Sequence, residues 1–124
     1  MSQENIEIVR EFVLLDLDEA MTRTDPAIVW NPTEEPPCHG RDAVRASLER
    51  WESDWDDLEQ APEEFIDAED RVFVAIRFRG RGRGSGIEIH DRLFEVYTLR
   101  EGAIVRMDEF KDRGAALEAA GLSE

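Results

Sequence analysis

The segment from Val72 to Phe110 alternates apolar and polar residues with a period of two, which predicts three consecutive long β-strands. Such alternation is typical of a sheet with one buried face. The expected buried face carries Val72, Val74, Ile76 and Phe78, then Ile87, Ile89, Leu93, Tyr97 and Leu99, then Ala103, Val105 and Met107. Glu95 and Glu109 fall in register with these side chains. Because an inward carboxylate is costly unless it is paired, hydrated or used, this pattern indicates a polar spot in an apolar interior.

The first forty residues predict two helices and one strand. Ser2 is expected to begin a helix whose apolar stripe holds Ile6, Val9, Phe12 and Val13. A short second helix starts at Asp16 or Asp18 and ends at Pro26, because proline cannot continue a helix. A short strand over Ala27–Trp30 and a proline-rich loop over residues 31–40 follow.

The clearest helix is predicted from Arg41 to about Asp56, with one apolar face formed by Val44, Leu48, Trp51 and Trp55. A weaker strand covers roughly Leu58–Asp67, and Pro62 indicates an edge or a bulge there. Asp112 is expected to cap a last helix that ends at Gly121. This order of elements predicts a single α+β domain over residues 1–124, with helices gathered on one face of a curled sheet.

Composition restricts the partners. The chain has 30 acidic and 15 basic residues, a net charge of −15 that repels nucleic acid and anionic lipid. No apolar run approaches the roughly 20 residues of a membrane span. The single cysteine, Cys38, excludes an intrachain disulfide. We therefore expect a cytoplasmic protein with neither a nucleic-acid nor a membrane partner.

The charges are distributed unevenly. Residues 49–70 hold eleven acids and one base, whereas residues 71–83 hold five arginines and no acid. This segregation predicts two complementary surfaces, either within one subunit or across a dimer.

Four stretches resemble SnoaL-like members of the NTF2-like superfamily: residues 25–32 (DPAIVWNP), 39–44 (HGRDAV), 97–102 (YTLREG) and 115–122 (AALEAAGL). The resemblance implies a cone-shaped α+β barrel in which a curved, mostly antiparallel sheet and the helices on its concave face enclose one apolar pocket. It also implies a homodimer paired through the outer face of the sheet. Because the superfamily includes cyclases, isomerases, dehydratases, hydrolases and non-catalytic modules, the fold leaves the function open.

Two departures from the family matter. The junction Phe12–Leu17 is about one helical turn shorter than in relatives, which either narrows the pocket mouth or exposes Leu14 and Leu15. Relatives that are ketosteroid isomerases carry a general-base aspartate where this chain has Asn31, and a tyrosine where it has Phe12. An amide cannot serve as that base, so steroid isomerisation by their route is not expected.

The candidate chemistry centres on Glu95. Burial beside Leu93 and Tyr97, and a second carboxylate at Glu109, would raise its pKa and suit it to proton transfer. The alternatives are that Glu95 pairs with an arginine or that a bulge turns it outward. Asn31 and Tyr97 are the candidate orienting groups, although Asn31 also suits a turn and Tyr97 a core position.

These residues predict a cofactor-free pocket for a small apolar or carbonyl-bearing molecule, with catalysis by proton transfer as one possibility. The expected lining is Phe12, Trp30, Trp51, Val74, Ile76, Phe78, Met107 and Glu109. The alternatives are a non-catalytic ligand-binding domain and a dimerisation module with a filled interior. The two histidines and one cysteine have no metal-binding spacing, so no metal is expected.

Overall fold

A computed structural model describes residues 2–122. The helices are α1 (Ser2–Leu14), α2 (Leu17–Met21), α3 (Arg41–Ser53) and α4 (Arg113–Ala119). The strands are β1 (Thr24–Asn31), β2 (Cys38–His39), β3 (Trp55–Ala68), β4 (Arg71–Gly82), β5 (Glu88–Arg100) and β6 (Ala103–Phe110). Within the described part of the chain, the helices are too short or too polar to cross a membrane.

The six strands form one curved sheet in the order β2-β1-β6-β5-β4-β3. Neighbouring strands are antiparallel except for β1 and β6, which run parallel. The sheet is not closed, since β2 and β3 form its two edges. The predicted α+β class and mostly antiparallel sheet are therefore confirmed.

The inner face of the sheet packs against α1, α2 and α3. Its core joins Val72, Val74 and Ile76 of the predicted β4 face to Val9, Phe12, Met21 and Val44 from the helices. Phe78, on the same face, is buried as well. The apolar stripes on these helices and the alternation in the strands are sufficient to specify the inner core, because each of these elements directs an apolar face toward it.

The outer face carries a second, smaller core, which the sequence pattern did not predict. Phe73, Ala75, Phe94 and Val96 pack there against Ala116, Leu117 and Ala120 of α4. Three helices therefore share the inner face and α4 covers part of the outer one. The unbroken apolar run from Val72 to Ile76 is the sequence signal for this arrangement, since a strand buried on both faces loses its alternation.

Several predicted boundaries shift in the structure. Strand β1 begins at Thr24 and includes Pro26, next to an irregularity in its pairing with β6. The predicted loop contains the short strand β2. Helix α3 ends at Ser53, so Trp55 belongs to β3 although its ring still packs on Trp51.

The last strand has a different inward set from the one expected. Ile104 and Met107 are buried, whereas Ala103 and Val105 are only partly covered. The pairing with β5 jumps from Thr98↔Arg106 to Leu99↔Ile104, and this bulge shifts the alternation. The bulge expected near Pro62 is confirmed, between Pro62 and Glu64 on edge strand β3.

The segregated charges meet within one subunit. Across the outer face, Arg79 pairs with Glu59 at 3.4 Å and Arg92 with Glu63 at 2.7 Å, while Arg81 bonds Asp57. The register of β3 against β4 places Glu59 directly opposite Arg79, and Asp57 follows Asp56, the partner of Arg81. Arg92 reaches Glu63 from β5, the next strand of the sheet beyond β4. Intrasubunit pairing thus accounts for the acidic and basic blocks, and the homodimer stays a prediction.

The docking of α4 can be tested with Leu117→Ala. Leu117 is 3% exposed, so the truncation should lower the free energy of unfolding by about 2–4 kcal/mol in urea titrations. Leu14→Ala is the control, because Leu14 is 62% exposed and should change stability by no more than about 0.5 kcal/mol. Equal effects of the two substitutions would contradict the outer-face core.

Candidate functional site

A cavity of about 550 Å³ lies between the inner face of the sheet and helices α1, α2 and α3. The predicted lining residues Phe12, Trp30, Trp51, Ile76, Phe78, Met107 and Glu109 all border it. Leu15 also borders the cavity, so the short junction after α1 contributes to its wall without closing it, and the neighbouring Leu14 is exposed.

Three aromatic rings form a cluster in one wall. Ring centroids of Trp51 and Trp55 are 6.0 Å apart, and each lies 5.7 Å from the centroid of Phe78. The indole Nε1 of Trp55 is buried and has no hydrogen-bond partner among the described residues. With Trp30, these two tryptophans are all the tryptophans of the chain, and all three line the cavity.

Glu95 and Tyr97 face the cavity from β5. They are two residues apart on a strand and therefore point to the same side. The Tyr97 hydroxyl donates a hydrogen bond to Glu95 Oε1 at 2.5 Å, and the Tyr97 ring packs edge-on against Phe12. Within residues 2–122 no arginine pairs with Glu95 and no bulge turns it outward, so neither alternative is observed.

This environment shifts the pKa of both groups. Burial, opposed by the Tyr97 hydrogen bond and reinforced by the charge of Glu109, raises the pKa of Glu95 to about 7. Part of the Glu95 side chain stays accessible from the cavity. Burial and the adjacent Glu95 charge also raise the pKa of Tyr97, which keeps its hydroxyl a donor at neutral pH.

Glu109 links the cavity to the loop after β1. It is the cross-strand partner of Glu95, and one of its carboxylate oxygens accepts from the Thr33 backbone N–H at 2.9 Å and the Thr33 hydroxyl at 3.0 Å. Two residues after Glu109, Lys111 bonds Glu34 of the same loop. The loop is thus tied across the cavity mouth to the end of β6.

Two predicted site residues do not border the cavity. Asn31 follows the inward Trp30, so its side chain lies on the opposite side, where its amide donates to Asp108 Oδ1 at 2.7 Å. Val74 is fully buried in the core and does not line the cavity. Trp30 itself is held by a 3.2 Å hydrogen bond from its indole N–H to the Ser47 hydroxyl.

Sequence reasoning missed several acids at the cavity mouth: Glu34, Glu35, Glu52, Asp54 and Asp91. Asp91 could have been found, because it precedes Leu93 and Glu95 in the same two-residue alternation. The other four come from loops and a helix end, whose positions the periodicity does not specify. Among residues 2–122, no three His, Cys, Asp or Glu side chains are grouped to hold a metal ion.

The fold is that of the NTF2-like proteins. A protein named as a SnoaL-like polyketide cyclase from Jannaschia sp. CCS1 superposes with a TM-score of 0.83 at 20% identity, covering 99% of this chain and 95% of that one. TerC, co-crystallised with polyporic acid, gives a TM-score of 0.74 at 22% identity over 95% and 98% of the two chains.

A third structure has a ketosteroid isomerase-like fold and comes from Catenulispora acidiphila, in complex with trimethylamine. Its TM-score is 0.74 at 14% identity, covering 94% of this chain and 93% of that one. No curated protein matches the sequence. The family model of the SnoaL-like domain matches residues 8–107, and the chain therefore belongs to that family.

The raised pKa of Glu95 predicts a pH-dependent cost to stability. A carboxyl whose pKa is higher in the folded than in the unfolded state favours folding while protonated. Protonated Glu95 therefore stabilises the folded state fully below about pH 4.5, and this stabilisation is lost as the pH rises to about 7. Relative to Glu95→Gln, the wild type should lose roughly 2–3 kcal/mol of unfolding free energy between these limits.

Urea titrations at several pH values would measure this difference. Glutamine can still accept from Tyr97, so the comparison isolates the charge. Glu118→Gln, on the exposed side of α4, should run parallel to the wild type. A Glu95→Gln profile that is also parallel would rule out the raised pKa.

Proposed function

We propose that this SnoaL-like protein binds a small, largely apolar, carbonyl-bearing molecule and catalyses cofactor-free proton transfer on it. The observation that carries the proposal is a carboxyl group with a pKa of about 7 facing a cavity of about 550 Å³ with aromatic walls. A cavity of this size accepts a ligand of two or three fused rings. A pKa near the working pH is optimal for a group that must both take and return a proton.

Glu95 acts as the acid/base in this mechanism. Tyr97 donates to Oε1, which leaves Oε2 as the oxygen that accepts a proton from the carbon next to the ligand's carbonyl. The resulting enolate regains the proton from Glu95 at a different atom, so the reaction is an isomerisation and needs no oxidant or reductant. Tyr97 orients the carboxylate; Asn31 has no direct role, because its amide is bonded to Asp108.

The related structures support a small-molecule pocket. One relative was co-crystallised with polyporic acid, and another is in complex with trimethylamine. A relative named as a polyketide cyclase is consistent with chemistry on carbonyl compounds. At identities of 14–22% the related structures support only the fold. The proposed proton transfer is argued from Glu95 and Tyr97 of this chain.

Proton transfer can be measured without knowing the natural substrate. In D₂O, the protein should accelerate deuterium incorporation next to the carbonyl of bicyclic and tricyclic ketones, followed by NMR. Glu95→Gln should reduce the rate by about 100-fold or more, because the base is removed. The wild-type rate should rise with pH through about 7 as Glu95 ionises.

Glu118→Gln provides the matched control and should leave the exchange rate unchanged, since Glu118 lies on α4 far from the cavity. Binding is followed separately by quenching of tryptophan emission, because all three tryptophans line the cavity. Saturable binding without exchange would favour a non-catalytic binding domain. If no ketone binds and none exchanges deuterium, the proposed function is refuted.

A further inference from the structure

The cavity mouth has a strong excess of negative charge. Seven acids and one base, Lys111, border the cavity within the described residues. Lys111 bonds Glu34, and Arg50 reaches Glu35 at 3.3 Å from outside the cavity. The remaining acids are Glu52, Asp54, Asp91, Glu95 and Glu109, and none of them lies within ion-pair distance of a basic side chain of residues 2–122. The one base at the mouth is shared: Lys111 bonds Glu34, and the charges of Glu109 and Asp91 further raise its pKa, so a single cation faces an excess of acids.

A metal ion does not explain this arrangement. The acids are spread around the mouth, with no three placed to coordinate one ion. Dispersed carboxylates instead create a diffuse negative potential, which a low-dielectric wall concentrates in the cavity. Such a field favours a ligand whose positive charge is itself spread over a larger group.

The wall beside Asp91 fits a charge of that kind. Asp91 is the cross-strand partner of Phe78, whose ring packs on Trp51 and Trp55. Aromatic rings attract an ammonium group over their faces, and the attraction increases where water is excluded. Asp91 itself is exposed at the mouth, so it can meet a cation as the ligand enters.

We propose that the ligand of this cavity is an organic cation. Its ammonium nitrogen lies between Asp91 and the aromatic cluster of Trp51, Trp55 and Phe78, and its apolar frame extends toward Glu95 and Tyr97. This inference rests on the proposed function and specifies its substrate class: a carbonyl compound that also carries a basic or quaternary nitrogen.

Two isosteric probes test the proposal. Phenyltrimethylammonium and tert-butylbenzene have the same shape and differ in charge, and both can be titrated by tryptophan quenching. The cation should bind about tenfold more tightly than the hydrocarbon. Raising NaCl from about 0.05 M to about 0.5 M should weaken binding of phenyltrimethylammonium but not of tert-butylbenzene, because salt screens the carboxylates.

Asp91→Asn should weaken binding of phenyltrimethylammonium by about fivefold and leave that of tert-butylbenzene unchanged. Asp70→Asn is the matched control, since Asp70 is exposed in the turn between β3 and β4, and it should bind both probes as the wild type does. A circular dichroism spectrum verifies that each variant is folded.

Equal or tighter binding of the hydrocarbon would overturn the organic-cation inference, and so would a cation affinity that does not respond to Asp91→Asn. Ketone binding and exchange would survive either result, so the proposed function would stand. If the ketones also fail to bind, both the inference and the proposed function are wrong.

Discussion

Burial of Glu95 beside Tyr97 is the interaction on which the site depends. A lone carboxylate inside an apolar cavity is unfavourable, and here one neutral donor, the Tyr97 hydroxyl, offsets part of that cost. The balance raises the pKa of Glu95 to about 7 instead of abolishing its ionisation. A small change in the surroundings, such as a bound cation or ketone, is therefore enough to change its protonation state.

The fold maintains this balance through strand geometry. The two-residue alternation of β5 points Glu95 and Tyr97 to the same side, and pairing with β6 brings Glu109 next to Glu95. Helices α1 and α3 then close the opposite side with Phe12 and Trp51. Because strands are rigid, these groups are preorganised before any ligand arrives.

The two faces of the sheet have separate tasks. The inner face encloses the cavity, while the outer face packs against α4 and carries the exposed ion pairs of β3, β4 and β5. Arg79, Arg81 and Arg92 lie on the outer face, whereas seven acids and one base border the cavity. The cavity therefore carries a net negative charge, which the arginines on the outer face do not neutralise.

The sequence alone determined the α+β class, the inward face of β4, and the position of Glu95 and Tyr97 on one side of a strand, because these follow from local periodicity. It misplaced Asn31, although alternation after the inward Trp30 directs its side chain to the opposite face, and it expected the fully buried core residue Val74 to line the cavity.

Only the tertiary structure decided the outward packing of α4, the bulge at Val105 and the meeting of distant acids around one mouth. Glu34, Glu52 and Asp91 belong to a loop, a helix and a strand far apart along the chain. Local patterns carry no information about such long-range neighbours, since chain reversal and strand order bring them together.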